Sequence, residues 1–144
     1  MTKTSSVFFL LGTVLVGAAY SSVGAQAPAS VNDGIYTAAQ ADRGKAVYAA
    51  NCAACHGDKL EGGTSGPELS GASFTGGYKD GNASALYSKI SMDMPSSAPG
   101  TLMPEQYADV LAWVLSVNKY PAGKTEIAKD GAGLKAVKMA SPPK

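Results

Sequence analysis

From residue 37 onward the chain alternates between stretches with helical periodicity and stretches with none. Thr37-Ala38-Ala39-Gln40 matches a capping box, in which the Thr hydroxyl and the Gln amide satisfy backbone N–H groups left over at a helix start. Behind it Ala41, Gly44, Val47 and Tyr48 recur at helical spacing up to Cys52. Gly44 costs a helix about 1 kcal/mol relative to Ala. Its predicted return is the close approach of another helix, the alternative being simple tolerance at a weak position. Asn82 can cap a short helix over Ala83 to Ile90, with Leu86 and Ile90 facing inward. Pro104 fits the first position of a final helix whose stripe is Tyr107, Val110, Leu111, Val114 and Val117. Asn118 closes that helix and Pro121 prevents its continuation. These elements predict an all-α fold.

The stretches without period carry their own information. Met1 to Ala25 reads as a secretory signal peptide: Lys3 precedes an apolar run from Val7 to Ala19, and Val23-Gly24-Ala25 offers a small-residue cleavage site. Cleavage after Ala27 is the second choice. Val7 to Tyr20 is short for a membrane span, so no span is expected after cleavage. Residues 26–36 look like a flexible leader, and Gly57 to Gly81, with eight glycines, like an ordered loop built on left-handed turns. Gly123 to Lys144 is lysine-rich, with Ile127, Leu134, Val137 and Met139 as its apolar anchors, and reads as a surface tail over residues 124–144, either wrapped on the domain or disordered. What remains, residues 37–123, is one small domain with a limited core of its own. Loss of Lys3 leaves eleven basic side chains against eleven acidic ones, which gives no reason to expect nucleic acid or an anionic membrane as partner.

Candidate chemistry is concentrated in Cys52-Ala53-Ala54-Cys55-His56. The chain has two cysteines and one histidine, and all three lie in these five residues. C-x-x-C-H is the attachment pattern of a c-type haem. Two thiols that add across the vinyl groups of one porphyrin must sit on one side of a single helical turn, and the next residue then offers its imidazole to the iron. A zinc site would need further Cys or His ligands, which the sequence lacks. A thioredoxin-like pair would follow a strand, whereas this one follows a helical pattern. One covalent haem c is expected, and with both cysteines committed to it no disulfide can staple the fold. Export fits, since such haems are attached outside the bacterial cytoplasm; the periplasm is the expected location.

Two further groups are candidates around the iron. An axial His generally donates its second ring N–H to a carbonyl or carboxylate. The Pro67 carbonyl, in Gly66-Pro67-Glu68-Leu69, is a candidate acceptor, against the alternative of an ordinary turn proline. Met92, Met94 and Met103 compete as sixth ligand. In an extended segment Met92 and Met94 would face opposite ways. Pro95 restricts Met94 to extended backbone, which suits a loop that presents a sulfur rigidly. Met103 begins a helix and is expected to pack on the domain edge, so Met94 leads and Met103 precedes Met92. Trp113 is expected across a helix interface or at the haem edge.

Taken together, Arg43-Gly44-Lys45, Tyr48, the Cys52 to Gly57 run, Gly66-Pro67-Glu68-Leu69, Met94-Pro95 and the Tyr107, Ala112, Trp113 helix resemble the class I cytochromes c. The block from Met94-Pro95 through Ala98-Pro99-Gly100-Thr101-Leu102 to Pro121-Ala122-Gly123 is similar to the cytochrome c domains of quinohaemoprotein (PQQ) alcohol dehydrogenases. The resemblance implies a small cytochrome c-like helical domain wrapped around one haem, with His56 and Met94 as axial pair and His56 oriented by Pro67. It implies an electron carrier rather than an enzyme. Its partners would be redox proteins: a PQQ-dependent dehydrogenase as donor, and a terminal oxidase or another cytochrome as acceptor. The rival reading is a haem enzyme or ligand sensor with an open sixth position. One departure stands out: similar chains place Ser or Thr where this one has Met103, so the final helix lacks a side-chain N-cap.

Overall fold

The computed structural model describes residues 27–144. The expected signal peptide, residues 1–25, lies outside the described residues. Five α-helices follow in order: α1 (Ala38–Asn51), α2 (Ala53–His56), α3 (Gly71–Tyr78), α4 (Ala83–Asp93) and α5 (Pro104–Val117). Short 3-10 turns occupy Val31–Asp33 and Leu134–Ala136. The described residues contain no strand, and none of their helices is long and apolar enough to cross a membrane. The fold is all-α, as the periodicity predicts.

The helix starts follow the local chemistry with one exception. Thr37 Oγ1 accepts from the Gln40 N–H at 3.1 Å. The Gln40 side chain does not complete the box. Its amide is buried and clamps Ile127 instead, donating to the Ile127 carbonyl at 3.0 Å and accepting from the Ile127 N–H at 2.9 Å. Asn82 caps α4, which runs three residues past its expected end to Asp93. Met103 stands at the start of α5 without a hydroxyl to offer, and Gln106 reaches back to accept from the Met103 N–H at 2.9 Å.

α1 crosses α5 at Gly44, and the crossing is what the missing side chain is for. A Cβ at Gly44 would lie 1.8 Å from the Asp109 carbonyl oxygen and 3.0 Å from Trp113 Cβ. Trp113 is therefore at this helix interface, with Lys45 Nζ 5.6 Å from its ring centroid. Beside the crossing Arg43 makes a fork of two bonds to Asp109, Nε and Nη2 each at 3.0 Å, and reaches Glu126 with its remaining donors. Its guanidinium holds the Glu126 carboxyl below the usual carboxylate range. Gly44→Ala gains helix propensity worth about 1 kcal/mol. Forcing the two backbones apart costs about 1–3 kcal/mol or more by overpacking. The expected result is a lower denaturant midpoint for the holoprotein; an unchanged or higher midpoint would mean that the helices part without cost.

Residues 27–36, the described part of the expected leader, do not act as a free one. Val31, Ile35 and Tyr36 are buried in the core, Tyr36 Oη donates to the Tyr120 carbonyl at 2.6 Å, and the Gly123 N–H donates to the Tyr36 carbonyl at 2.6 Å. Residues 124–144 wrap over the surface with most side chains exposed, and Ile127, Leu134, Val137 and Met139 are buried as its anchors. Lys138 is threaded between two segments, bridging Ser30 on one side and Asn82 on the other. The physical reason is that burying one Val or Leu side chain contributes about 1.5–3 kcal/mol. The four anchors act together with backbone hydrogen bonds to Ala29, Val31, Gly81 and Ala83, which hold the segment where no helical period announces it.

Candidate functional site: a cysteine-flanked apolar cavity

The site begins where α1 ends. Cys52 terminates α1, and α2 is the single turn that follows, with the Cys55 and His56 N–H groups both donating to the Cys52 carbonyl at 3.1 and 3.0 Å. The two thiols thus stand one turn apart, both half-buried. Burial first, and the neighbouring Cys55 second, raises the Cys52 thiol above its ordinary pKa. Gly57 leaves the turn in left-handed backbone, φ 79°, and its carbonyl accepts from the Tyr48 hydroxyl at 2.8 Å. This bond fastens the cysteine turn onto α1.

His56 Nδ1 lies 2.8 Å from the Pro67 carbonyl. A carbonyl only accepts, so the proton resides on Nδ1, and in the neutral ring Nε2 keeps its lone pair for a metal. Gly66 makes room for this bond, because a Cβ there would sit 3.0 Å from the imidazole and from the Cys55 carbonyl. The loop is ordered at both ends. The Leu69 N–H donates to the Leu60 carbonyl at 2.8 Å, with Leu60 fully buried. Asn118 does more than end α5. Its side-chain amide donates to the Leu69 carbonyl at 2.8 Å, while its Oδ1 accepts from the Gly71 N–H at 3.0 Å. Past that point the chain forms α3, a helix missed in the sequence because its residues are glycine-rich and only Phe74 is buried.

One cavity is lined by both cysteines, His56, Pro67 and Met94, and its walls are apolar: Leu69 and Phe74 from the loop and α3, Leu86 and Ile90 from α4, Val110 and Val114 from α5. All five expected site residues therefore come together. Met94 stands just past α4 in extended backbone, φ −120°, ψ 151°. Met92 and Met103 are 71% and 60% exposed and do not line the cavity. Met92 points away because it belongs to the last turn of α4, not to an extended segment as expected from the sequence. Tyr107, read only as part of an apolar stripe, has a second role. Its hydroxyl donates to the Met94 carbonyl at 3.2 Å and accepts from the Leu102 N–H at 3.1 Å, fixing the Met94 loop to α5. The signal for this was the phenol itself, since a buried Tyr hydroxyl needs a partner.

These donors fit a haem: two thiols on one turn, an oriented imidazole, a thioether from a separate element, and apolar walls for the porphyrin faces. No cluster of His, Cys, Asp and Glu able to hold a bare metal ion occurs among the described residues.

Residues 39–114 match the family model described as cytochrome c oxidase, cbb3-type, subunit III. No curated protein gives a significant match. Among solved structures, the sulfane dehydrogenase SoxCD from Paracoccus pantotrophus contains a similar fold, with a TM-score of 0.53 and 24% identity over 69% of this chain and 52% of that one. The chain spans about half the length of that structure, and at this identity the likeness concerns the fold alone. The family match, in contrast, covers more than half of the chain and includes both cysteines, His56, Pro67 and Met94, so the protein belongs to the cytochrome c family described as cbb3-type cytochrome c oxidase subunit III.

Proposed function

We propose that this protein is a one-electron carrier of the periplasm, with one haem c attached through Cys52 and Cys55 and ligated by His56 and Met94. Membership of a cytochrome c family implies covalent haem c and haem-based electron transfer. The observation that carries the finer reading is the convergence of His56 and Met94 on one apolar cavity that both cysteines border. When bound, the haem supplies a one-electron couple, and sulfur ligation raises its potential. The residues of the chain hold that couple still. Pro67 orients His56, Tyr107 pins the Met94 loop, and the walls from α4 and α5 keep water from the porphyrin faces. A site closed on both axial sides moves electrons and leaves no position for substrate.

Export rests on the Met1 to Ala25 reading and on the chemistry of haem attachment. The Met94 to Gly123 block supports a PQQ-dependent dehydrogenase as electron donor. The description of the matched family supports a terminal oxidase, or another cytochrome, as acceptor. The purified protein should retain its haem through acid and organic extraction and titrate as a single one-electron centre. Mixed with a quinoprotein dehydrogenase of the same organism in a stopped-flow instrument, it should be reduced faster than by unrelated dehydrogenases. Haem lost to the solvent would overturn the attachment, and equal reduction rates would overturn the choice of donor.

A further inference from the structure

Among the residues that line the cavity, Lys89 is the one with a permanent formal charge at neutral pH. It stands on the face of α4 that also supplies Leu86 and Ile90, three residues before it and one after, with Met94 just beyond the helix. Its side chain is 54% exposed, which suits a lysine that packs its stem on apolar surface and keeps its ammonium toward water. There it meets Asp93 Oδ2 at 2.9 Å, a carboxylate as exposed as itself. An exposed pair of this spacing, with the cation on the N-terminal side, contributes a few tenths of a kcal/mol at most. That ion pair does not hold the ammonium firmly, and it leaves donors free. Tyr78, the phenol beside Phe74, lines the same cavity.

The group that fits this cavity is apolar over its faces and carries two carboxylates along one edge. Apart from Lys89 the polar lining is neutral, with Asn51, Tyr78, Ser96 and Ser97 among it, and a carboxylate is costly to bury unless a donor or cation meets it, a cation most strongly. We infer that Lys89 anchors the carboxylate edge of the tetrapyrrole, its ammonium shared between a haem propionate and Asp93, so that this pair sets both the seating of the haem and part of its potential. The inference rests on the haem reading above. The sign follows from charge. A cation beside the porphyrin disfavours the oxidised, more positive iron, and Asp93 tempers that cation.

The test is a redox titration of the holoprotein and four variants. Lys89→Met should move the oxidised-to-reduced equilibrium about threefold toward the oxidised form, the scale of one partly exposed charge. Asp93→Asn should move it the opposite way. Lys89→Arg keeps the charge and should restore the wild-type value, whereas Lys135→Met, an exposed charge that does not line the cavity, should change little. In the resonance Raman spectrum the propionate bending bands should shift in Lys89→Met and not in Lys135→Met. Lys89→Met indistinguishable from Lys135→Met, with a normal haem spectrum, overturns this inference alone. Absence of covalent haem from the wild-type protein overturns it together with the function it rests on.

Discussion

His56→Ala is expected to abolish the stable holoprotein. His56 is the one imidazole in the chain, so no neighbouring residue can take its place at the iron. The residue is held rather than merely present: Nδ1 is bonded to the Pro67 carbonyl, Gly66 packs against the ring, and the turn that carries it is tied to α1 through Tyr48 and Gly57. Loss of a supporting partner alone typically lowers metal affinity roughly 10–100-fold, and loss of the ligand itself should exceed that. Without a seated haem the cavity walls from Leu69, Phe74, Leu86, Ile90, Val110 and Val114 face water, so the apoprotein should also lose cooperative unfolding. Expression with the haem-attachment machinery, followed by absorption spectroscopy and intact mass, checks both points. A variant with the wild-type spectrum would remove His56 from the iron.

Met94→Ala is expected to keep the haem and change what it does. Of the three methionines weighed as sixth ligand, Met94 lines the cavity and Met92 and Met103 are exposed. The variant should lose the sulfur-to-iron absorption band, and its potential should fall by about 0.1–0.3 V, within the ~0.8 V that axial ligands span. It should also bind carbon monoxide or cyanide readily. Met103→Ala should do none of these, because its thioether lies outside the cavity. The wild-type protein decides between carrier and enzyme: rapid carbon monoxide binding without mutation would mean an open sixth position and favour the sensor or enzyme reading. Tyr107→Phe supplies an internal check on the same loop, since it frees the Met94 and Leu102 backbone groups without touching the sulfur.

The comparison of chain and fold separates two kinds of information. What the sequence by itself determined was local. The caps at Thr37 and Asn82, the stripe of α5 and the spacing of Cys52, Cys55 and His56 are written within one or two turns, where covalent geometry dictates which groups can meet. The extended backbone at Met94 was legible for the same reason, because Pro95 acts on the residue immediately before it. Gly44 was the one local anomaly that pointed outward, and the helix it called for is α5. Only the tertiary structure decided the contacts between segments far apart in the chain. Gln40 had a local use as half of a capping box, yet its amide went to Ile127, 87 residues away, where a buried backbone would otherwise be unpaired. Asn118 looked like a helix end and became the brace of Leu69 and Gly71. Residues 31–36 and 127–139 show no helical period because, apart from single local turns, their partners are distant: Val31 meets Lys138, Tyr36 meets Tyr120 and Gly123, Ile127 meets Gln40, and Lys138 bridges Asn82. A segment whose partners are distant leaves no pattern in its own sequence, and it is placed only when the helices have formed the surface that buries it.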